Sequence, residues 1–267
     1  MNPRSFLIHG LIAGLLGGLV AFVVALGVGA PAIDDAIAVE ESAADADHAS
    51  EHVEEATSTE GHSHSDGDEE GGITRGQQAG PGLATATALF GVVLGGAAGI
   101  GAAFAAGRFG RLTPVASTGL VVGLGSVSVV LVPWLKYPPN PPAVGSGDSI
   151  GERTALYFGF LAISVLAVIA ALIIARQVLA NRSAWSATVV GGAVYLGVVG
   201  LATVLMAPID EVPDSFPANT LVEFRVGSLL TQSALWLTIG VVLTGLVHRA
   251  WTKHRAEADR LTKAHAL

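Results

Sequence analysis

Residues 6–30, which read FLIHGLIAGLLGGLVAFVVALGVGA, decide the fold class of this chain. The stretch contains no acid, lysine or arginine, and a helix needs about 20 apolar residues to cross the hydrocarbon core of a bilayer. Gly10, Gly14 and Gly18 recur within it at four-residue spacing, which is typical of helices whose backbones pack closely in lipid. The stretch therefore predicts a membrane-spanning helix with a glycine-rich packing face.

Five further apolar runs follow, over residues 83–107, 115–135, 154–175, 184–206 and 227–247. Only 13% of the 267 residues are charged, about half the share found in soluble domains. The sequence therefore predicts an all-α integral membrane protein, a single polytopic domain over residues 1–267 with six transmembrane helices. Cleavage of the first run as a signal peptide would leave five, but secretory apolar cores are only about 7–15 residues long.

The basic residues predict the orientation of these helices. Ten of the 14 lysines and arginines lie in the N-terminus, the second and fourth connections and a basic tail over residues 248–267. The first, third and fifth connections carry the other four, together with 20 of the 22 acids. Since cytoplasmic segments are enriched in Lys and Arg, we expect both termini in the cytoplasm and the acidic connections outside the cell.

The first outside connection, residues 31–81, lacks apolar periodicity and is predicted to be disordered. Within it, residues 48–70 read HASEHVEEATSTEGHSHSDGDEE and hold four of the eight histidines, His48, His52, His62 and His64. Imidazole combined with carboxylate suits Zn²⁺, Ni²⁺, Co²⁺ and Cu²⁺. This composition favours a low-affinity collector of such ions, and the competing interpretation is a solvated acidic loop with incidental histidines.

The two shorter outside connections are rich in proline. The first reads PWLKYPPNPPAVGSGDSIGERT (133–154), and its prolines, Trp134 and Tyr137 predict a stiff loop at the membrane interface. The second reads APIDEVPDSFPANTLVEFRVGS (207–228). In it, Asp210 and Glu211 are candidate cation ligands, and Glu223 and Arg225 are expected to pair with each other or to cap the sixth helix.

Motifs for catalysis in a fitting context are absent from the sequence. It contains no HExxH and no P-loop, which are the marks of metalloproteases and nucleotide-binding loops. Its GxSxG match, GDSIG at 147–151, lies in a proline-rich connection without the preceding strand that a nucleophile elbow needs. We therefore expect neither an enzyme nor a bound cofactor, and no nucleic-acid partner. The lipid bilayer and a divalent metal ion are the expected partners.

Three segments of the sequence resemble the CbtA-type family of cobalt transporter subunits. They are APAIDDAIAVEE (30–41), PWLKYPPNPPAVG (133–145) and APIDEVPDSFPANTLVEFRVGSLLTQSALW (207–236). The resemblance implies uptake of Co²⁺ for cobalamin synthesis, together with a small one-helix partner subunit that carries its own histidines.

Two alternatives to a cobalt importer remain open on the residues alone. The first is a transporter of the same fold for Ni²⁺ or Zn²⁺, because the same ligands suit these ions. The second is a membrane scaffold or sensor that responds to metal without transporting it.

Overall fold

The computed structural model describes residues 2–51, 77–109, 112–142 and 144–265. The α-helices in these ranges are α1 (Pro3–Val24), α2 (Ala30–Glu51), α3 (Leu83–Ala105), α4 (Pro114–Ser126), α5 (Val132–Lys136), α6 (Ile150–Asn181), α7 (Ala184–Leu205) and α8 (Ala218–His265). Within the described ranges, six helical stretches are long and apolar enough to cross a membrane. This confirms the all-α fold with six spans.

Short π-helical turns lie inside two of these stretches and at the start of a third, and each one either contains a proline or ends two residues before one. The turn Ala25–Gly29 joins α1 to α2 two residues before Pro31, and Val127–Leu131 joins α4 to α5 two residues before Pro133. The turn Gln78–Gly82, which contains Pro81, leads into α3. Proline has no N–H and its ring crowds the carbonyl four residues earlier, so a widened turn lets the helix continue past it.

The structure differs from the expected disorder at both edges of the first connection. Residues 30–51 continue the first span as α2, and residues 78–82 form the π turn before α3. Alanine and glutamate, which favour helix, are frequent in α2, and extending a helix that already exists avoids the cost of nucleation. Residues 52–76 of the predicted loop lie outside the described residues.

The close contact between α1 and α3 is made by glycines. The glycine seam consists of Gly10, Gly14 and Gly18 of α1 with Gly91, Gly95 and Gly99 of α3. A Cβ atom on Gly14 would overlap the carbonyl oxygen of Gly91, and one on Gly10 would overlap that of Gly95. Residue numbers rise along α1 as they fall along α3, so the two helices are antiparallel. The glycines predicted from their spacing to be a packing face are therefore in backbone-to-backbone contact.

The main core lies where α1, α3, α4 and α8 meet. Its members include Phe6, Ala102, Val122, Ile239 and Leu243, all at least 95% buried. Helices α6 and α7 pack against each other beside this core. A 2.9 Å hydrogen bond between the hydroxyl groups of Ser164 in α6 and Tyr195 in α7 joins the two helices. Four packed helices and an attached pair thus form the bundle.

The bundle has two chemically distinct ends, because the helices alternate in direction. The acidic end carries α2, the 137–149 connection and the 206–217 connection; the basic end carries the start of α1, the 106–113 connection, the turn between α6 and α7, and the end of α8. At the acidic end, the described basic residues are Lys136, Arg153 and Arg225. At 48 residues α8 is about 72 Å long, so it extends well beyond the predicted span of residues 227–247 on both sides.

Candidate functional site at the acidic end

Tyr137 anchors the proline-rich connection to the α6–α7 pair. It follows α5 directly, is 5% exposed, and its hydroxyl donates a 2.8 Å hydrogen bond to the carbonyl oxygen of Ala207. Its ring meets that of Phe160 edge to face, with 5.7 Å between centroids. Burial raises the pKa of the Tyr137 phenol above its ordinary value, so the hydroxyl stays a neutral donor at physiological pH.

Lys136 closes the end of α7. Its Nζ donates hydrogen bonds to the carbonyl oxygens of Thr203, at 3.0 Å, and Met206, at 3.1 Å. The last carbonyls of a helix lack helical partners and carry partial negative charge, so an ammonium group is the complementary ligand. This contact ties the third span to the fifth.

Arg225 joins the beginning of α8 to the proline-rich connection. Its Nη2 donates to Asn140 Oδ1 at 3.0 Å, and its Nε donates to the carbonyl oxygen of Pro139 at 3.4 Å. The expected pairing of Arg225 with Glu223 is not the arrangement observed, because both residues lie inside α8 two positions apart and so point in different directions. Arg225 therefore has neutral oxygens as its partners in the described part of the chain.

Arg153 and Glu211 form the ion pair of this region, with 3.2 Å between Nη1 and Oε2 and both side chains about three-quarters buried. The contact is electrostatic rather than a well-aligned hydrogen bond, because Glu211 Oε2 and Arg153 Nε have no hydrogen-bond partner among the described residues. Arg153 Nη2 also donates to the carbonyl oxygen of Ser146 at 3.2 Å. Beside the pair, Gly145 has φ +108°, and a Cβ there would collide with both charged groups.

These contacts border an open-sided cavity of about 750 Å³ at the acidic end. Its polar wall is formed by Trp134, Asn140, Arg153, Asp210, Arg225 and Gln232. Its apolar wall includes Phe90, Leu94, Val129, Phe158 and Leu161. The cavity thus has chemically different sides, which belong to α3, α6 and α8 and to the connections between spans.

Residues 3–248 match the model of the family described as "Probable cobalt transporter subunit (CbtA)". The chain belongs to the CbtA family. No curated protein and no solved structure matches it. With its six spans, this CbtA member is a multi-pass membrane protein of a transporter-subunit family, a class that is not typically enzymatic, and the designation as a subunit implies a partner.

The structure places the predicted metal ligands of this CbtA chain in different surroundings. Asp210 is exposed on the rim of the cavity, whereas Glu211 is held by Arg153. His48 lies near the end of α2, at the acidic end. His52, His62 and His64 lie outside the described residues. Among the residues that are described, no three His, Asp or Glu side chains come together as a metal site, so the ligand assignment stays a prediction.

Sequence reasoning missed the role of Lys136, Arg153 and Arg225. A signal was available, because these are three of the four basic residues that depart from the charge asymmetry of the chain. Each one is bound to carbonyl oxygens at the acidic end, and Arg153 is bound to a carboxylate as well. Basic residues on the side predicted to be extracytoplasmic were therefore a pointer to the contacts that hold the connections together.

Proposed function

We propose that this protein is the membrane subunit through which Co²⁺ enters the cytoplasm, in support of cobalamin synthesis. The observation that carries the proposal is the match of residues 3–248 to the cobalt transporter subunit family. The separation of charge between the two ends of the bundle supports a direction. Lys and Arg are enriched on the cytoplasmic side of membrane proteins, so the basic end, with both termini, faces the cytoplasm and the acidic end faces out.

The acidic end acts as the collector of the ion in this proposal. In α2 the carboxylates of Asp34, Asp35, Glu40 and Glu41 are exposed, and a surface of one charge sign raises the local concentration of counter-ions. Histidines His48, His52, His62 and His64 add imidazole ligands that suit Co²⁺ better than Ca²⁺ or Mg²⁺.

The entrance in this proposal involves Asp210 and Glu211. Asp210 offers an exposed carboxylate next to the membrane, while Glu211 neutralises Arg153. Glu211 therefore becomes a ligand only by exchanging Arg153 for the ion. A second set of ligands is assigned to the partner, which the family resemblance implies is a small one-helix subunit with its own histidines.

The test is uptake of radiolabelled cobalt against its concentration, in cells that lack other cobalt importers and express this chain with its partner. Replacing Asp210 with Asn and Glu211 with Gln removes both charges, so uptake falls at every concentration. Because Glu211→Gln also leaves Arg153 without its partner, Asp210→Asn alone, which keeps the ion pair, must lower uptake as well. Deleting residues 45–70 raises only the metal concentration for half-maximal uptake. The segment only increases the local concentration of the ion, so a higher concentration in solution compensates for its loss. The matched control Asp214→Asn, in the same connection, leaves uptake close to wild type.

Three results contradict parts of the proposal. Uptake of Ni²⁺ or Zn²⁺ in preference to Co²⁺ would mean that one of these ions, and not Co²⁺, is the transported substrate. Metal binding without uptake of any ion turns the protein into a sensor or scaffold. Full uptake by the Asp210 and Glu211 double variant moves the entrance elsewhere.

A further inference from the structure

The cavity at the acidic end is open toward the membrane. Phe90 of α3 and Phe158 of α6 both line it, yet 50% of Phe90 and 61% of Phe158 are exposed. Each lies seven or eight residues inside its helix, about 11 Å below the helix start. With these helices spanning a bilayer, that depth is less than the roughly 15 Å of hydrocarbon in one leaflet, so we expect the opening between α3 and α6 to face acyl chains.

The other side of the cavity carries groups that lack partners. The indole Nε1 of Trp134 and the amide Oε1 of Gln232 are buried and have no hydrogen-bond partner among the described residues. Arg225 donates only to the neutral oxygens of Asn140 and Pro139 in that part of the chain. An unpaired buried polar group costs about 1–3 kcal/mol, so a ligand is favoured that supplies acceptor oxygens to Trp134 Nε1 and Arg225 and a hydroxyl donor to Gln232 Oε1.

The charges of the lining select the kind of ligand. Arg153 and Arg225 both face the cavity, together with the carboxylate of Asp210. Glu211 neutralises Arg153, so Arg225, whose described partners are neutral oxygens, is the guanidinium group with charge to offer. A divalent cation is repelled by Arg225, whereas a phosphate matches the donor fork of arginine. The rest of this end of the bundle is rich in carboxylates, so an anion is stable only where guanidinium groups gather.

We propose that the cavity binds an anionic phospholipid from the leaflet at the acidic end. The phosphate accepts hydrogen bonds from Arg225, with Arg153 and Trp134 Nε1 beside it. One acyl chain passes between Phe90 and Phe158 along Leu94 and Leu161. This site shares Asp210 at its rim with the proposed cobalt entrance, but it needs neither the histidines nor the partner subunit, and the lipid seals the gap between α3 and α6.

The first experiment measures lipid retention by the purified full-length chain with native mass spectrometry. Both lipids carry a phosphate, but the choline ammonium of phosphatidylcholine is repelled by Arg225, so phosphatidylglycerol is retained about tenfold more, which corresponds to about 1.4 kcal/mol. Arg225→Gln lowers phosphatidylglycerol to the level of phosphatidylcholine. Arg176→Gln, at the basic end, retains both lipids as the wild type does. Equal retention of the two lipids by the wild type, or full retention by Arg225→Gln, overturns the proposal.

A second measurement does not depend on the folding of Arg225→Gln. In mixed micelles, phosphatidylglycerol with brominated acyl chains quenches tryptophan fluorescence more than brominated phosphatidylcholine does, and Trp134→Phe removes the excess. An excess that persists in Trp134→Phe places the lipid elsewhere and refutes the site. Displacement of the brominated lipid by soluble glycerol phosphate shows a site for phosphate alone and refutes the lipid.

Discussion

Arg153 and Glu211 lie 58 residues apart in the sequence, and their side chains meet with 3.2 Å between Nη1 and Oε2. The pair links α6 to the connection that leads into α8. Glu211 thereby fixes the position of the neighbouring residue Asp210, the proposed entrance carboxylate. The ion pair is thus a joint between α6 and the connection before α8 at the acidic end.

Breaking this pair should destabilise the protein, and removing both charges should restore part of the loss. Arg153→Gln leaves a carboxylate that is about three-quarters buried without its counter-ion, so the midpoint of thermal unfolding in detergent falls. The double variant Arg153→Gln/Glu211→Gln loses less stability than the summed losses of the two single variants, with a coupling free energy of about 1 kcal/mol. Additive single effects mean that the two charges do not interact.

The glycine seam should not accept one extra methyl group. In Gly14→Ala the new Cβ meets the backbone of Gly91, so α1 and α3 must separate, at a cost of about 1–3 kcal/mol. The matched control is Gly197→Ala in α7, where nothing lies within 4 Å of the added atom. Thermal unfolding of the two variants in the same detergent checks the difference, and equal midpoints would disprove close backbone contact.

The proposed orientation can be measured by labelling, because the chain contains no cysteine. Ser215→Cys lies in the exposed connection before α8, and Ala256→Cys lies in the exposed last part of α8. A membrane-impermeant maleimide applied to intact cells labels the first variant and reaches the second only after permeabilisation. The opposite pattern inverts the protein in the membrane and reverses the proposed direction of transport.

Binding of Co²⁺ by the full-length chain should weaken as the pH falls through about 6.5, the ordinary pKa of imidazole. Only the neutral ring binds a metal ion, so protons compete for His48, His52, His62 and His64. Replacing the four with Gln removes most binding and its pH dependence near 6.5, which titration calorimetry detects. Unchanged binding in this variant indicates an acidic ion atmosphere without histidine ligands.

The spans and the glycine seam could be predicted from the sequence because lipid leaves few alternatives. A 25-residue apolar run such as 6–30 has to satisfy its backbone internally, so helix is the single solution for an isolated segment. Gly10, Gly14 and Gly18 lie on one face by helical spacing alone. The prediction of the span and the prediction of the glycine face both use residues that are close together in the sequence, so the sequence alone is enough for them.

The contacts at the acidic end depend on residues that are distant in the chain. Arg225 has Glu223 nearby in sequence, but its hydrogen bond goes to Asn140, 85 positions away. The helical state of residues 30–51 was also missed, because polar composition predicts disorder when the rigid helix on its N-terminal side is ignored. The two π turns that end two residues before Pro31 and Pro133, by contrast, could have been predicted from these prolines.

The glycine seam has a consequence for how this protein evolves. Glycine is the smallest amino acid, so every substitution at Gly14 or Gly95 adds atoms where the opposite backbone already lies. Elsewhere in a core, a larger side chain can be exchanged for a slightly smaller one, and a neighbour can compensate later. At the seam no such intermediate exists, because the facing position is also glycine. A saturation mutagenesis screen should therefore find fewer tolerated amino acids along α1 and α3 than along the exposed face of α7.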